Sequence, residues 1–314
     1  MYKSAPPTVF SRNKLRQSTA GILAFLLLVL VPSLGHAEET AAPPRVESDI
    51  LYRPNVEAAD DYAQSKCTLD FYYPSKPAKQ FPLVVWFHGG GLTSGSKTGT
   101  KTAENGGEVG LFRRLNDQGI AVASVGYRLS PKVKYPVYLQ DAAQGVKWCV
   151  TEGVKKGADP KAIFISGHSA GGYIAAMLAM DEGLLKEAGV PGDKIAGYIP
   201  VSGQMLTHYT IRGERGLKKE NVSADAAAPI YHVRKVAPPM LIIVGDKDME
   251  MRLEENQLFY SAMHDLVKNE TTSIVVVPDR NHGSICNRLL TPGDKGGEAL
   301  LAFVKKWGGK HGGQ

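Results

Sequence analysis

Six apolar runs, residues 83–87, 120–125, 162–166, 195–201, 240–244 and 273–277, recur along the chain with room for a helix between most of them. Unbroken apolar runs of this length are how strands covered on both faces read, and such strands belong to parallel sheets with helices on each side. The intervening stretches supply those helices. Residues 111–118 place Leu111, Phe112 and Leu115 on one face and stop at Gly119, and residues 139–150 carry Ala142, Ala143, Val146 and Val150. Further helices are expected over 253–267 and 297–307. The run 174–179 is apolar all round and needs burial on every side. The expected fold is therefore α/β, a doubly wound, mostly parallel sheet with helices on both faces and its functional site at the carboxyl ends of the strands. Residues 69–73 are expected to add an edge strand, ended by Pro74 and Pro77.

The ends of the chain read differently. Residues 1–37 carry Lys3, Arg12, Lys14 and Arg16 with no acid, then an apolar run over 21–34, then Gly35-His36-Ala37. That order is expected of a secretory signal peptide cleaved after Ala37, since the apolar run falls short of the roughly 20 residues a spanning helix needs. Residues 38–65, with Ala41-Ala42-Pro43-Pro44, read as a linker, 66–307 as the domain, 203–236 as a polar, cap-like insertion before the sheet resumes, and 308–314 as a loose tail. Without the leader, 33 basic residues face 31 acidic ones, a formal charge of +2 against +6 for the whole chain. A near-neutral surface gives no reason to expect nucleic acid as a partner, and a cleaved leader leaves no membrane anchor. The expected location is the periplasm or the outside of the cell. There Cys67, Cys149 and Cys286 could form at most one internal bridge, in any of three pairings. No Cys/His pair has zinc-type spacing, so neither a metal nor a cofactor is expected.

The chemistry sits just past the strands. Gly167-His168-Ser169-Ala170-Gly171 has the form G-x-S-x-G after an apolar strand and before a helix, the setting of a sharp turn that presents a serine hydroxyl. A serine becomes a useful nucleophile only when a base takes its proton, a carboxylate holds the base, and fixed N–H donors meet the developing oxyanion. His282 follows the strand 273–277 and is the candidate base. Asp246, Asp248 and Glu250 crowd the loop after 240–244, so the acid stays open on residue type alone. His88-Gly89-Gly90-Gly91 follows 83–87 and offers a glycine-lined loop where backbone can approach a substrate without a Cβ in the way. The order Ser, Asp, His is the one this kind of turn carries in α/β enzymes.

Together with Gly126-Tyr127-Arg128-Leu129-Ser130-Pro131, Gly245-Asp246-Lys247-Asp248 and Asn281-His282-Gly283, these motifs resemble an α/β-hydrolase carboxylesterase. The likeness is nearest to the branch of hormone-sensitive-lipase-like and bacterial feruloyl and acetyl-xylan esterases, and it covers residues 67–307. The resemblance implies Ser169 as nucleophile, His282 as general base and Asp248, three residues past the glycine that ends its strand, as the acid, with Asp246 capping the loop. It implies an oxyanion hole from the N–H groups of Ala170, Gly90 and Gly91. His88 is expected to order its loop, His168 to pack at the rim of the turn, Tyr127 and Arg128 to brace the site. His208 and His232 lie in the insertion, where substrate contact is open to them.

The expected function is that of a secreted serine esterase, working through an acyl-enzyme without cofactor on short or aromatic acyl esters, with acetyl or feruloyl groups on polysaccharide foremost. The insertion carries only scattered apolar residues (Met205, Leu206, Ile211, Leu217, Ile230) and lacks the apolar face of a lipase lid. An arylformamidase or an exopeptidase would use the same triad on an amide, and a binding protein on a dead hydrolase fold would lack a triad member.

Overall fold

Along each central strand alternate side chains enter two separate apolar layers, and the helices follow from the need to cover both. The computed structural model describes residues 45–53, 60–99, 103–218 and 220–309. In chain order these form β1 (Val46–Leu51), α1 (Asp61–Lys66), β2 (Thr68–Tyr72), β3 (Phe81–Phe87), α2 (Gly107–Asp117), β4 (Ala121–Val125), α3 (Val137–Trp148), β5 (Ala158–His168), α4 (Ala170–Met180), α5 (Glu182–Glu187), β6 (Gly197–Val201), α6 (Tyr209–Glu214), β7 (Met240–Gly245), α7 (Arg252–Ser261), β8 (Thr272–Val277), α8 (Ser284–Asn287) and α9 (Lys295–Trp307). The strands make one sheet in the order β1-β2-β4-β3-β5-β6-β7-β8. Pairing is antiparallel from β1 to β2 and from β2 to β4, and parallel across all the rest. This is the α/β sheet expected from the alternating runs.

Leu83, Val85 and Phe87 of β3 join one layer with α3 and α4, while Val84 and Trp86 join the other with Leu111, Phe112 and Leu115 of α2 and Phe303 of α9. Every residue of α4 is buried, as its all-apolar sequence requires. Trp86 packs edge-on against Phe112 at 5.9 Å and gives its indole N–H to Glu108 at 3.1 Å, so the one polar atom of the ring is satisfied inside the layer.

The register of the central strands places the loops that matter. Phe87 is opposite Gly167, which sets the His88 loop beside Ser169; His168 is opposite Val201, and Gly245 is opposite Val277, which sets the 246–252 and 278–283 loops side by side. Parallel pairing leaves all of these loops at one edge of the sheet.

Three expectations need correction. Residues 38–65 are not a linker throughout, because β1 and most of α1 fall within them and the sheet begins at Val46. Residues 69–73 are consequently not an edge strand: β2 lies between β1 and β4, and all five of its residues are buried. The sequence Val-Glu-Ser-Asp-Ile-Leu hides β1 because edge pairing is a matter of backbone and leaves most of its side chains exposed or half-buried. The insertion 203–236 is less irregular than its composition implies, since it contains α6 and buries Met205 and Ile211 completely. The expected leader 1–37 and residues 310–314 of the expected tail lie outside the described residues. Cys67, Cys149 and Cys286 are all buried and unpaired. Among the described residues no helix is long and apolar enough to cross a membrane.

Candidate active site

Ser169 stands between β5 and α4 with φ 57° and ψ −114°, a conformation strained for any residue with a Cβ. Two contacts hold it there. Its N–H donates to the carbonyl of Val201 at 2.9 Å, and the glycines around it let β3 close in: a Cβ on Gly167 would come within 2.5 Å of the Phe87 carbonyl oxygen, and one on Gly171 would overlap it. A larger residue at either position would push the turn away from the sheet.

His282 reaches the turn from the loop after β8. Its Nε2 lies 2.8 Å from Ser169 Oγ and its Nδ1 2.7 Å from Asp248 Oδ1. A carboxylate can only accept, so Nδ1 carries the ring proton and Nε2 is left to accept from the serine hydroxyl. The loop itself is fixed by Asn281, whose side-chain oxygen accepts from the N–H groups of Gly283 and Ser284 at 3.1 and 2.9 Å.

Asp248 has a fully buried side chain and receives three hydrogen bonds, from His282, from Ser202 Oγ at 2.5 Å and from the N–H of Met249 at 2.7 Å. Burial pushes its pKa upward, but the bonds from His282 and Ser202 outweigh it, and the carboxyl is held below the usual range. The other two acids of the loop are elsewhere. Asp246 takes the N–H of Arg280 at 3.3 Å and ties the two loops together, and Glu250 is exposed. The structure thus brings Ser169, His282 and Asp248 into one line and leaves Asp246 and Glu250 out of it.

The glycine loop is oriented through its carbonyls. His88 Nδ1–H donates to Gly89 O at 2.7 Å; Gly90 O accepts from the N–H groups of Thr93 and Ser94 at 3.1 and 3.0 Å; Thr210 Oγ1 donates to Gly91 O at 2.5 Å. Since a trans peptide points its N–H opposite its carbonyl, pinning Gly89 O and Gly90 O turns the N–H groups of Gly90 and Gly91 the other way. Those two N–H groups and that of Ala170 find no acceptor among the described residues. Gly90 and Gly91 have φ 108° and 63°, which suits glycine. Gly89 brings the loop against the turn: a Cβ on it would lie 3.4 Å from that of Ser169.

Four further histidines are held by hydrogen bonds to their surroundings. His88 is buried against Tyr127, stacked at 4.3 Å, and Tyr127 donates to His88 O at 2.7 Å; burial pushes the His88 pKa down to about 4. His168 donates from Nε2 to the carbonyl of His282 at 2.7 Å, and burial with the neighbouring His282 pushes its pKa down to about 3. His208 is buried and caps α6 by accepting the Thr210 N–H, while His232 bonds the carbonyl of Ala226. Arg128 is fastened to buried Asp141 at 2.8 Å, as a brace would be.

Sequence reasoning missed Ser202 and the pair behind it. Ser202 follows β6, sits at φ 49° and donates to Asp248; its carbonyl accepts from buried Arg252, which pairs with Glu255 at 2.8 Å. A serine just past a strand was the available signal, the same placement that marked Ser169. No group of three or more metal-ligating side chains occurs among the described residues.

Comparison with known proteins adds the family. Residues 69–190 match the BD-FAE family model, and residues 133–311, more than half of the chain, match that of the prolyl oligopeptidase family. Carboxylesterase NlhH of Mycobacterium tuberculosis is 32% identical over 155 residues, 49% of this chain and 43% of the relative. The chain spans about half the length or less of the curated relatives it matches first. Among solved structures, a truncated carbohydrate esterase from gut microbiota superposes with a TM-score of 0.68 at 18% identity, covering 87% of this chain and 99% of the other. Esterase B from Lactobacillus rhamnosis gives 0.65 at 23%, covering 84% and 88%, and both likenesses bear on the fold alone. The eight-stranded sheet is that of an α/β-hydrolase, and by the span of the family match the chain belongs to the prolyl oligopeptidase family.

Proposed function

We propose that the protein is a serine esterase that hydrolyses carboxylic esters through an acyl-enzyme. The observation that carries the reading is the unbroken line from Ser169 Oγ through His282 to the buried Asp248, ending beside a loop in which the N–H groups of Gly90 and Gly91 meet no acceptor among the described residues. In this scheme Ser169 Oγ bonds to the ester carbonyl carbon while His282 Nε2 takes its proton, and the Asp248 carboxylate steadies the resulting imidazolium. The carbonyl oxygen becomes an oxyanion held by the N–H groups of Gly90, Gly91 and Ala170; each donor of that kind is worth roughly 3 kcal/mol of transition-state stabilisation. Collapse breaks the bond to the alkoxide, which leaves with the proton from Nε2. Water then enters, gives its proton to Nε2 and releases the acid, restoring Ser169.

Two kinds of observation favour an ester over an amide: NlhH is a carboxylesterase, and the superposing structures are esterases, one of them a carbohydrate esterase. We infer short or aromatic acyl groups on a carbohydrate alcohol as the first substrates to test, and a secreted protein from the leader-like residues 1–37. The prolyl oligopeptidase match keeps one rival in view, peptide hydrolysis by the same triad. Protein lacking residues 1–37 and its Ser169→Ala variant should be assayed on p-nitrophenyl acetate and on aminoacyl p-nitroanilides. Hydrolysis of the ester, lost in the variant, is expected. Turnover of the anilides alone would favour the peptidase, and ester turnover undiminished in Ser169→Ala would sink the scheme.

A further inference from the structure

A cavity of about 580 Å³ lies between the insertion and the acid loop, walled by Leu206, Tyr209, Val222, Met249 and Met251. Two of its walls adjoin the reacting site. Tyr209 abuts the oxyanion loop, since a Cβ on Gly91 would overlap its hydroxyl, and Met249 directly follows Asp248. The insertion is bolted to this loop through Thr210 Oγ1 on Gly91 O, so the wall and the N–H donors form one unit.

We infer that this cavity receives the acyl group of the substrate, and that it selects an uncharged apolar acyl chain or ring well beyond acetyl in size. The inference rests on the esterase reading above. Direction comes first. The alcohol leaves toward His282 Nε2, and no residue of the 281–287 loop that carries the base lines this cavity; the substituent on the other side of the carbonyl carbon is the one that turns into it. Size comes next, because a cavity of this volume is in the range that holds a drug-sized ligand, and the methyl of an acetyl group would leave it filled with water. Chemistry comes last. Val222, Met249 and Met251 are exposed at 53%, 39% and 52%, an apolar rim that the described residues leave uncovered. The charges at the back are committed: Arg252 to Glu255 and to the Ser202 carbonyl, Glu255 also to the N–H groups of Met205 and Leu206, and Arg212 to the carbonyl of Thr207. Glu220 and Glu250 at the mouth are exposed carboxylates that repel an anionic acyl group.

The test uses the full mature-length protein and two ester series, p-nitrophenyl esters from acetate to hexanoate and acetate esters of alcohols from ethanol to hexanol. Each methylene buried in the cavity should raise kcat/KM about fourfold, the equivalent of about 0.8 kcal/mol, so butyrate should exceed acetate by roughly 15-fold, while the alcohol series stays within about threefold. Val222→Asp, at an exposed position where folding is not at stake, should lower hexanoate turnover at least ten times more than acetate turnover, with an unchanged melting temperature. A flat or falling acyl series alongside Ser169-dependent acetate hydrolysis would overturn the assignment and leave the esterase reading standing. Growth along the alcohol series instead would overturn it too, by giving the cavity to the leaving group. Failure of every ester would overturn both.

Discussion

Acid should weaken this protein well above the carboxylate range, and the reason is visible in two histidines. His88 and His208 are 2% and 1% exposed, and burial lowers both pKa values, that of His88 to about 4 and that of His208 well below the ordinary 6.5. In the unfolded chain both return to about 6.5 and bind protons that the native state refuses. The folded state therefore binds fewer protons than the unfolded state below pH 6.5. The stability associated with neutral rings is complete above that value and is lost as pH falls toward the folded pKa. At pH 5, one and a half units below 6.5, His88 with a folded value of about 4 costs about 2 kcal/mol, and buried His208 adds a loss of the same sign. About 2 kcal/mol from His88 alone is a sizeable share of the roughly 5–15 kcal/mol typical of a folded domain. Urea unfolding at pH 7.5, 6 and 5, followed by the fluorescence of buried Trp86 and its fellows, measures the loss. In the double variant His88→Asn, His208→Asn, where asparagine can still donate to Gly89 O and still cap α6, at least about 2 kcal/mol of the pH dependence should disappear even if the variant is less stable at neutral pH. A stability that does not change from pH 7.5 to 5, or a pH dependence identical in the variant, would refute the reasoning.

Other consequences are sharper at the site. Gly91→Ala puts a Cβ at φ 63° into the Tyr209 hydroxyl, so the oxyanion loop must shift, and kcat on p-nitrophenyl acetate should fall about 100-fold, the scale of one lost donor. Ser202→Ala removes a buried 2.5 Å bond to a carboxylate, and the Asp248 pKa should rise; a bond of that class is worth about 1.5–3 kcal/mol, so kcat should fall tenfold or more with KM little changed. Asp248→Asn should cost several orders of magnitude in kcat and Asp246→Asn less than tenfold, because only the first carboxylate fixes the tautomer of His282; the reverse ranking would contradict the geometry.

Much of this site was legible because an α/β sheet sorts its chemistry by position. Ser169, His282, Asp248 and the His88 loop each come directly after an apolar run, and a parallel sheet delivers all such places to one edge. Ser202 obeys the same rule but is not singled out by it, since a serine after a strand is common and only the fold brings it against Asp248. Polar sequence concealed β1, whose pairing with β2 uses backbone groups rather than an apolar face. The order within the insertion is hidden for a related reason. Met205 and Ile211 look scattered in sequence, yet both are wholly buried, and Met205 is held by Glu255, fifty residues away. The cavity is made by joining 204–222 to 249–255, and a run such as Met249-Glu250-Met251 has no period that would mark it as a wall.

The central claim is that Ser169, with its proton taken by His282, is the atom that attacks the carbonyl carbon. It is tested most directly by treating the protein with an ester-mimicking fluorophosphonate and reading the adduct by peptide mass spectrometry. The account predicts one adduct per chain, on the peptide containing Ser169, formed at least a thousandfold more slowly in His282→Ala and absent from Ser169→Ala. An adduct on another residue accompanied by loss of esterase activity, or full activity after complete modification of Ser169, would contradict it.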